Sequence, residues 1–214
     1  IMDYKYTTTF ECTLTSCEIN EASLISKASL NNLAPLVPKD IDYKSNVDLL
    51  GVAFNAAVVN KFNRNGDGMD SSTAKKYTPN FVHKPTNIEH DKEKVVGHIV
   101  DAGFSSFESS EILTDEEIEK KKDPFNISLG AVIYKSVNKN FTNLVEKSLD
   151  PEDPAYQKVS ASWEVGFSDY VLAVGSDYLE EAKIISDPEK IQEMKGFLRS
   201  YGGTGKTDKG EKIY

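Results

Sequence analysis

A succession of β-branched, aromatic and apolar runs, parted by turn-forming segments and never alternating with long amphipathic helices, constrains this chain more than any other feature. Val47–Val59 (VDLLGVAFNAAVV), Glu93–Ala102 (EKVVGHIVDA), Ile127–Lys135 (ISLGAVIYK) and Val159–Phe167 read as strands, Tyr170–Val174 as a short one, and the Thr/Tyr/Phe-rich residues 3–18 as an edge strand. Asn60–Ser72 reads as a long turn-rich loop. Helix signals are fewer. Thr114 with Glu117 forms a capping-box pattern before a charged helix reaching about Lys122. Phe141–Ser148 is amphipathic. Ser186 or Asp187 caps a helix running to about Tyr201, with Pro188 in the first turn, where a missing N–H costs little. Without βαβ alternation, the expected class is β-rich α+β: mostly antiparallel strands in a partly closed barrel, with a few peripheral helices.

The chain has 214 residues, enough for one domain with a substantial core. Residues 1–201 read as that domain, with its core in 47–175. The composition then turns to Gly, Lys, Thr and Asp, and 202–214 reads as a solvated linker or the start of a further segment. A formal net charge of −9 argues against a nucleic-acid face and against adsorption to anionic membranes. Cys12 and Cys17 are too few for a disulfide framework and read as free thiols of a reducing compartment. No apolar run reaches the length of a membrane span, and the first residues lack a signal-peptide layout.

Two loops imitate ligand motifs. Asn63-Arg64-Asn65-Gly66-Asp67-Gly68 has the alternating oxygens of a calcium loop, but its twelfth position is Ala74 and not the required Glu. Gly202-Gly203-Thr204-Gly205-Lys206-Thr207 resembles the end of a phosphate loop, yet its first Gly position is Ser200 and a helix precedes it. Neither is expected to bind, and no metal or cofactor is expected. Of the three histidines, His98 lies within an apolar strand and reads as packed, and His83 as a surface residue. His90 stands between carboxylates in Asn87-Ile88-Glu89-His90-Asp91 and is the candidate general base. In Ser160-Ala161-Ser162-Trp163-Glu164 the polar residues share one face of a strand and Trp163 and Val165 the other. The same pattern suits any sheet with one solvent face.

Taken in order, the strand ending Ala57-Val58-Val59-Asn60-Lys61 before an Asn/Gly-rich loop, the Asn87–Asp91 segment before Val95–Asp101, and Val159–Tyr170 resemble the prohead (capsid maturation) serine proteases of tailed bacteriophages, relatives in fold of herpesvirus assemblin. The resemblance spans about residues 47 to 175. It implies a serine endopeptidase with His90 as base and Ser162 as nucleophile, Ser160 being the alternative. The herpesvirus relatives use a second histidine after the serine. This chain has none after His98, so an acid must replace it or be missing: Asp101 first, Glu164 second. Gly130 and Gly166 are candidate oxyanion donors. The resemblance further implies action inside a phage prohead in the bacterial cytoplasm, with scaffold and core proteins, the major capsid protein and the chain itself as substrates, and a homo-oligomer as one possible state. Some relatives cut after glutamate, which makes Leu179-Glu180-Glu181 a candidate self-cleavage site beside its plainer reading as an acidic turn. Two other readings stay open: a catalytically inactive scaffold or capsid-assembly protein of the same fold, and a β-barrel that binds a small ligand.

Overall fold

The computed structural model describes residues 4–13, 32–63, 65–156 and 158–214, excepting the side chains of residues 9–13. Cys17 and the thiol of Cys12 therefore lie outside the described residues. The chain is mixed α and β, rich in antiparallel strands and poor in helix.

The central sheet orders β2 (Leu49–Val59), β6 (Phe125–Tyr134), β4 (Val95–Ser106) and β3 (Pro85–Asn87), with β5 (Ile112–Leu113) pairing at the far end of β4. A separate two-stranded ribbon pairs β1 (Tyr6–Thr13) with β7 (Ser160–Phe167). Period-2 alternation decides what each strand buries. On β6, Phe125, Ile127, Leu129, Ala131 and Ile133 enter the main core. There they meet Leu50, Val52 and Phe54 of β2 and Ile99 and Phe104 of β4, while Ala161, Trp163 and Val165 of β7 pack against them from the ribbon. The opposite face of the sheet is closed by a smaller group, Leu33, Leu36, Val37 and Ala53.

Helices are peripheral and short: α1 (Ser71–Tyr77), α2 (Asp115–Glu119), α3 (Lys139–Leu149) and α4 (Pro188–Met194). The capping box at α2 has both of its reciprocal hydrogen bonds. α1 takes the last two residues of the expected Asn60–Ser72 loop and runs on to Tyr77. Asp70 accepts the Thr73 amide and starts a helix that buries only Ala74, so no apolar periodicity marked it. α4 starts at the Asp187 cap but stops at Met194, and the chain continues as two 3-10 turns, Lys195–Phe197 and Arg199–Tyr201.

The stretch 202–214 does not run off as a linker. It folds back on β8 (Leu172–Val174), which pairs with β9 (Lys183–Ile185). Ala173 and Tyr214 exchange backbone hydrogen bonds, and Ile213 is only 1% exposed, packed with Leu172, Val174, Ile191 and Leu198. Gly203 permits this return. A Cβ there would lie 2.3 Å from the Phe197 carbonyl group. The glycine amides that imitated a phosphate loop are spent on backbone: Gly202, Gly203 and Gly205 donate to Arg199, Leu198 and Phe197.

Candidate active site

The strand carrying Ser162 is held by its inward-facing neighbour. β2 carries a bulge between Asn55 and Ala57, which sets Ala56 out of the ladder with β6. The Ala56 carbonyl accepts the Trp163 indole N–H at 3.1 Å. The same indole meets Phe81 edge-to-face, ring centroids 4.8 Å apart. Phe81 ends the 3-10 turn Thr78–Phe81 that leads into β3 and the His90 loop. Trp163 thus ties the ribbon, the bulged strand and the approach to His90 together. With Trp163 pointing inward, alternation leaves Ser160, Ser162 and Glu164 on the exposed face of β7.

The loop bearing His90 is closed by local hydrogen bonds. Asp91 N–H donates to Ile88, Lys94 N–H to Asp91 and Ile88 N–H to Lys94. The Asp91 carboxylate takes the Lys94 ammonium at 2.8 Å and the Glu93 amide at 3.0 Å; the ammonium first and the amide second hold its pKa below the usual carboxylate range. Glu89 and His90 both have left-handed backbone, with φ of 53° and 56°. Such a conformation costs a non-glycine residue about 1–2 kcal/mol, and strain of this kind gathers at functional sites.

Across this arrangement the His90 Nε2 and Ser162 Oγ atoms lie 2.9 Å apart, although 72 positions separate them in the chain. That is hydrogen-bonding distance for a base and its nucleophile. Ser160, two positions along the same face, makes no hydrogen bond to His90; strand rise sets it about 7 Å further along. Nδ1 of His90 has no hydrogen-bond partner among the described residues.

The expected acid is elsewhere. Ala102 and Phe104 pack on the main core and Gly103 faces Leu36 on the other side of the sheet, so alternation puts Asp101 on the side away from the core. Its carboxylate accepts the neighbouring Ala102 amide at 2.8 Å. Ser162 sits outside the ribbon, with the core between the two. Glu164 shares the exposed face of Ser162 but makes neither a hydrogen bond nor an ion pair among the described residues. The two glycines considered as oxyanion donors are sites of close packing. A Cβ on Gly130 would strike the Leu36 carbonyl oxygen at 1.8 Å, and one on Gly166 the Tyr4 ring at 2.3 Å.

The remaining candidates resolve locally. His98 Nδ1 lies 2.7 Å from the Tyr134 hydroxyl, within the sheet. In the loop resembling a calcium site, the Asn63 carboxamide oxygen accepts the amides of Asn65 and Asp67, and the Asp67 carboxylate accepts the Thr8 hydroxyl. No group of three metal-ligating side chains occurs among the described residues. Leu179–Glu181 is a 3-10 turn in which Glu180 pairs with Lys122 at 2.5 Å and Glu181 accepts from Ser176. No described helix is long and apolar enough to cross a membrane. Missing from the sequence reading was the Ala56–Trp163 link, since a bulge leaves no composition signal. No protein-family model, no curated protein and no solved structure matches this chain.

Proposed function

We propose that the chain is a serine endopeptidase working through the pair His90 and Ser162. The observation that carries the reading is the 2.9 Å approach of His90 Nε2 to Ser162 Oγ, made by side chains on an exposed, accessible face. As the Ser162 oxygen attacks a peptide carbonyl, its proton passes to Nε2. The resulting imidazolium gives that proton to the leaving amine, and an acyl-enzyme remains. Water then attacks the ester, losing a proton to Nε2; the bond to the Ser162 oxygen breaks, the carboxylic acid product leaves, and Nε2 returns the proton to that oxygen. This sequence requires the tautomer with hydrogen on Nδ1.

In this reading the machinery is a dyad. In the well-studied triads an acid on Nδ1 fixes the tautomer, and removing it alone costs about 10⁴-fold in rate. A pair without one is expected to turn over slowly, which suits an enzyme that cuts a few sites once each. Resemblance to the prohead proteases supplies the rest of the proposal: a partly closed, assemblin-like barrel, scaffold and capsid proteins as substrates, self-processing, and action inside an immature phage shell. The barrel proposal is supported by the ribbon, whose inner face packs on the core of the central sheet.

The unpartnered Nδ1 favours a second reading, an inactive assembly protein of the same fold. A fluorophosphonate probe followed by peptide mass mapping separates the two. Labelling at Ser162 that disappears in His90→Ala supports the hydrolase. An unlabelled Ser162, with no cleavage of the chain or of co-expressed scaffold protein, removes it. Labelling at Ser160 instead moves the nucleophile by two residues and keeps the function.

A further inference from the structure

Glu164 is the acidic residue that β7 itself places beside Ser162. It lies on the same exposed face of β7, two positions along, because Trp163 between them is drawn inward to Ala56 and Phe81. Strand rise puts its Cα about 7 Å from that of Ser162. Its carboxylate has no hydrogen bond and no ion pair among the described residues. The contrast with Asp91, on the loop that brings His90, is direct: that carboxylate is neutralised by Lys94 and capped by the Glu93 amide. Over residues 89–94 the loop carries three carboxylates and two ammonium groups, so it supplies no excess cation to answer Glu164. In the β1–β7 ladder Glu164 stands opposite Thr9, a neutral residue.

Resting on the hydrolase reading, we propose that Glu164 selects the substrate: it favours peptides with a lysine or arginine about two residues from the scissile bond and disfavours those with an acid there. A peptide lying along β7 with its reacting carbonyl at Ser162 advances by the same rise as the strand, so the side chain two residues away comes level with Glu164. An unpaired carboxylate gains a partner from a cation there and repels an anion. Both interactions take place at an exposed surface, where each is small and weakened by salt. Glu164 acts on the substrate and not on His90, to which it makes no hydrogen bond.

The experiment uses the full chain and a set of otherwise identical quenched peptides, in which one lysine or one glutamate is moved through the three positions on either side of the cut. In the native protein kcat/KM for lysine over glutamate is expected to reach about fivefold at a position two residues from the cut and to fall towards one at high salt. Glu164→Gln brings the ratio close to one, and Glu164→Lys inverts it. An unchanged ratio in Glu164→Lys overturns the proposal while leaving the hydrolase intact. A second arm needs no turnover: binding of the same peptides to Ser162→Ala, with and without Glu164→Lys. If nothing is cleaved yet the lysine preference in binding inverts, the hydrolase reading fails and the role of Glu164 in charge selection survives. If binding shows no preference either, both fall.

Discussion

The sheet-and-ribbon core and the C-terminal cluster bury apolar side chains by different means. In the core, long strands present every second residue inward, and β6 alone contributes Phe125, Ile127, Leu129, Ala131 and Ile133. In the cluster, Leu172, Val174, Ile191, Leu198 and Ile213 come from separate short pieces, and polar links clasp them. Asp177 binds Lys212 at 2.7 Å and also the Tyr214 hydroxyl, joining β8's flank to the chain end. The contrast teaches where precision was needed. Ser162 sits on the ribbon, which Trp163 ties to the Ala56 bulge of β2, and His90 on the loop after β3, whereas the cluster bears neither residue.

The largest expected effect separates chemistry from stability on the core side. Ser162→Ala or His90→Ala should lower kcat by about 10³–10⁶-fold in a cleavage assay, while thermal unfolding stays within about 0.5 kcal/mol of the native protein, because both residues are exposed. A marked loss of stability in either would show that the pair is structural.

Trp163→Ala should cost about 3–5 kcal/mol in denaturant unfolding and take activity with it, since the ring fills the space between β2 and Phe81. Trp163→Phe, which keeps much of the ring but not the donor, should cost about 1–3 kcal/mol through the lost indole hydrogen bond and the smaller ring. Equal costs would mean that the ring packing contributes nothing beyond the hydrogen bond.

Ile213→Ala should cost about 2–4 kcal/mol, but locally. Hydrogen exchange should quicken at Ala173, Gly175 and Tyr214 and stay slow in β6. Equal quickening in both regions would mean that the cluster and the core open as one unit.

The cluster should also be the more sensitive to pH at both ends of the scale. Lys212 first, then Tyr214, hold the Asp177 pKa below its ordinary value. The stability this contributes is present above the unfolded carboxylate pKa and is lost as pH falls through the lower folded one. Burial first, then the bond to Asp177, push Tyr214 up to about 12. Its share is present below the unfolded phenol value of about 10 and is lost as pH rises towards 12. Protection of the Tyr214 amide, taken as the free energy of opening, should therefore show a plateau against pH that falls at both ends, and Asp177→Asn should remove the acid limb.

The smallest effect belongs to the strained turn. Glu89→Gly should stabilise the chain by about 0.5–1 kcal/mol by relieving the left-handed backbone, less the entropy glycine adds to the unfolded state. Cleavage should fall at the same time, if the strain holds His90 in place.

Much of the frame was legible in the residues. The strands β2, β4, β6 and β7 lie within a few positions of their expected bounds, because alternation is a local pattern that survives folding. The caps of α2 and α4 were legible for the same reason: Thr114, Glu117 and Asp187 bond to amides two or three residues away. The exposed face bearing Ser162 followed from Ser-x-Ser-x-Glu beside an inward tryptophan. By contrast α1 buries a single alanine, and β3 and β9 are each three residues long, too short for a period to show. The stretch 202–214 has the composition of a linker, and the burial of Ile213, the backbone pairing with Ala173 and the bonds to Asp177 give it a fixed path.

The sequence by itself determined which residues could act as base and nucleophile and which face of β7 would bear Ser162. Residue chemistry and strand period are properties of a few consecutive positions. Tertiary structure alone decided that His90 meets Ser162 across 72 positions, that a bulge offers the Ala56 carbonyl to Trp163, and that Asp101 looks away from the site. Each of these depends on how separate strands register and stack, and a one-residue slip in any of them would turn the relevant side chain to the opposite face.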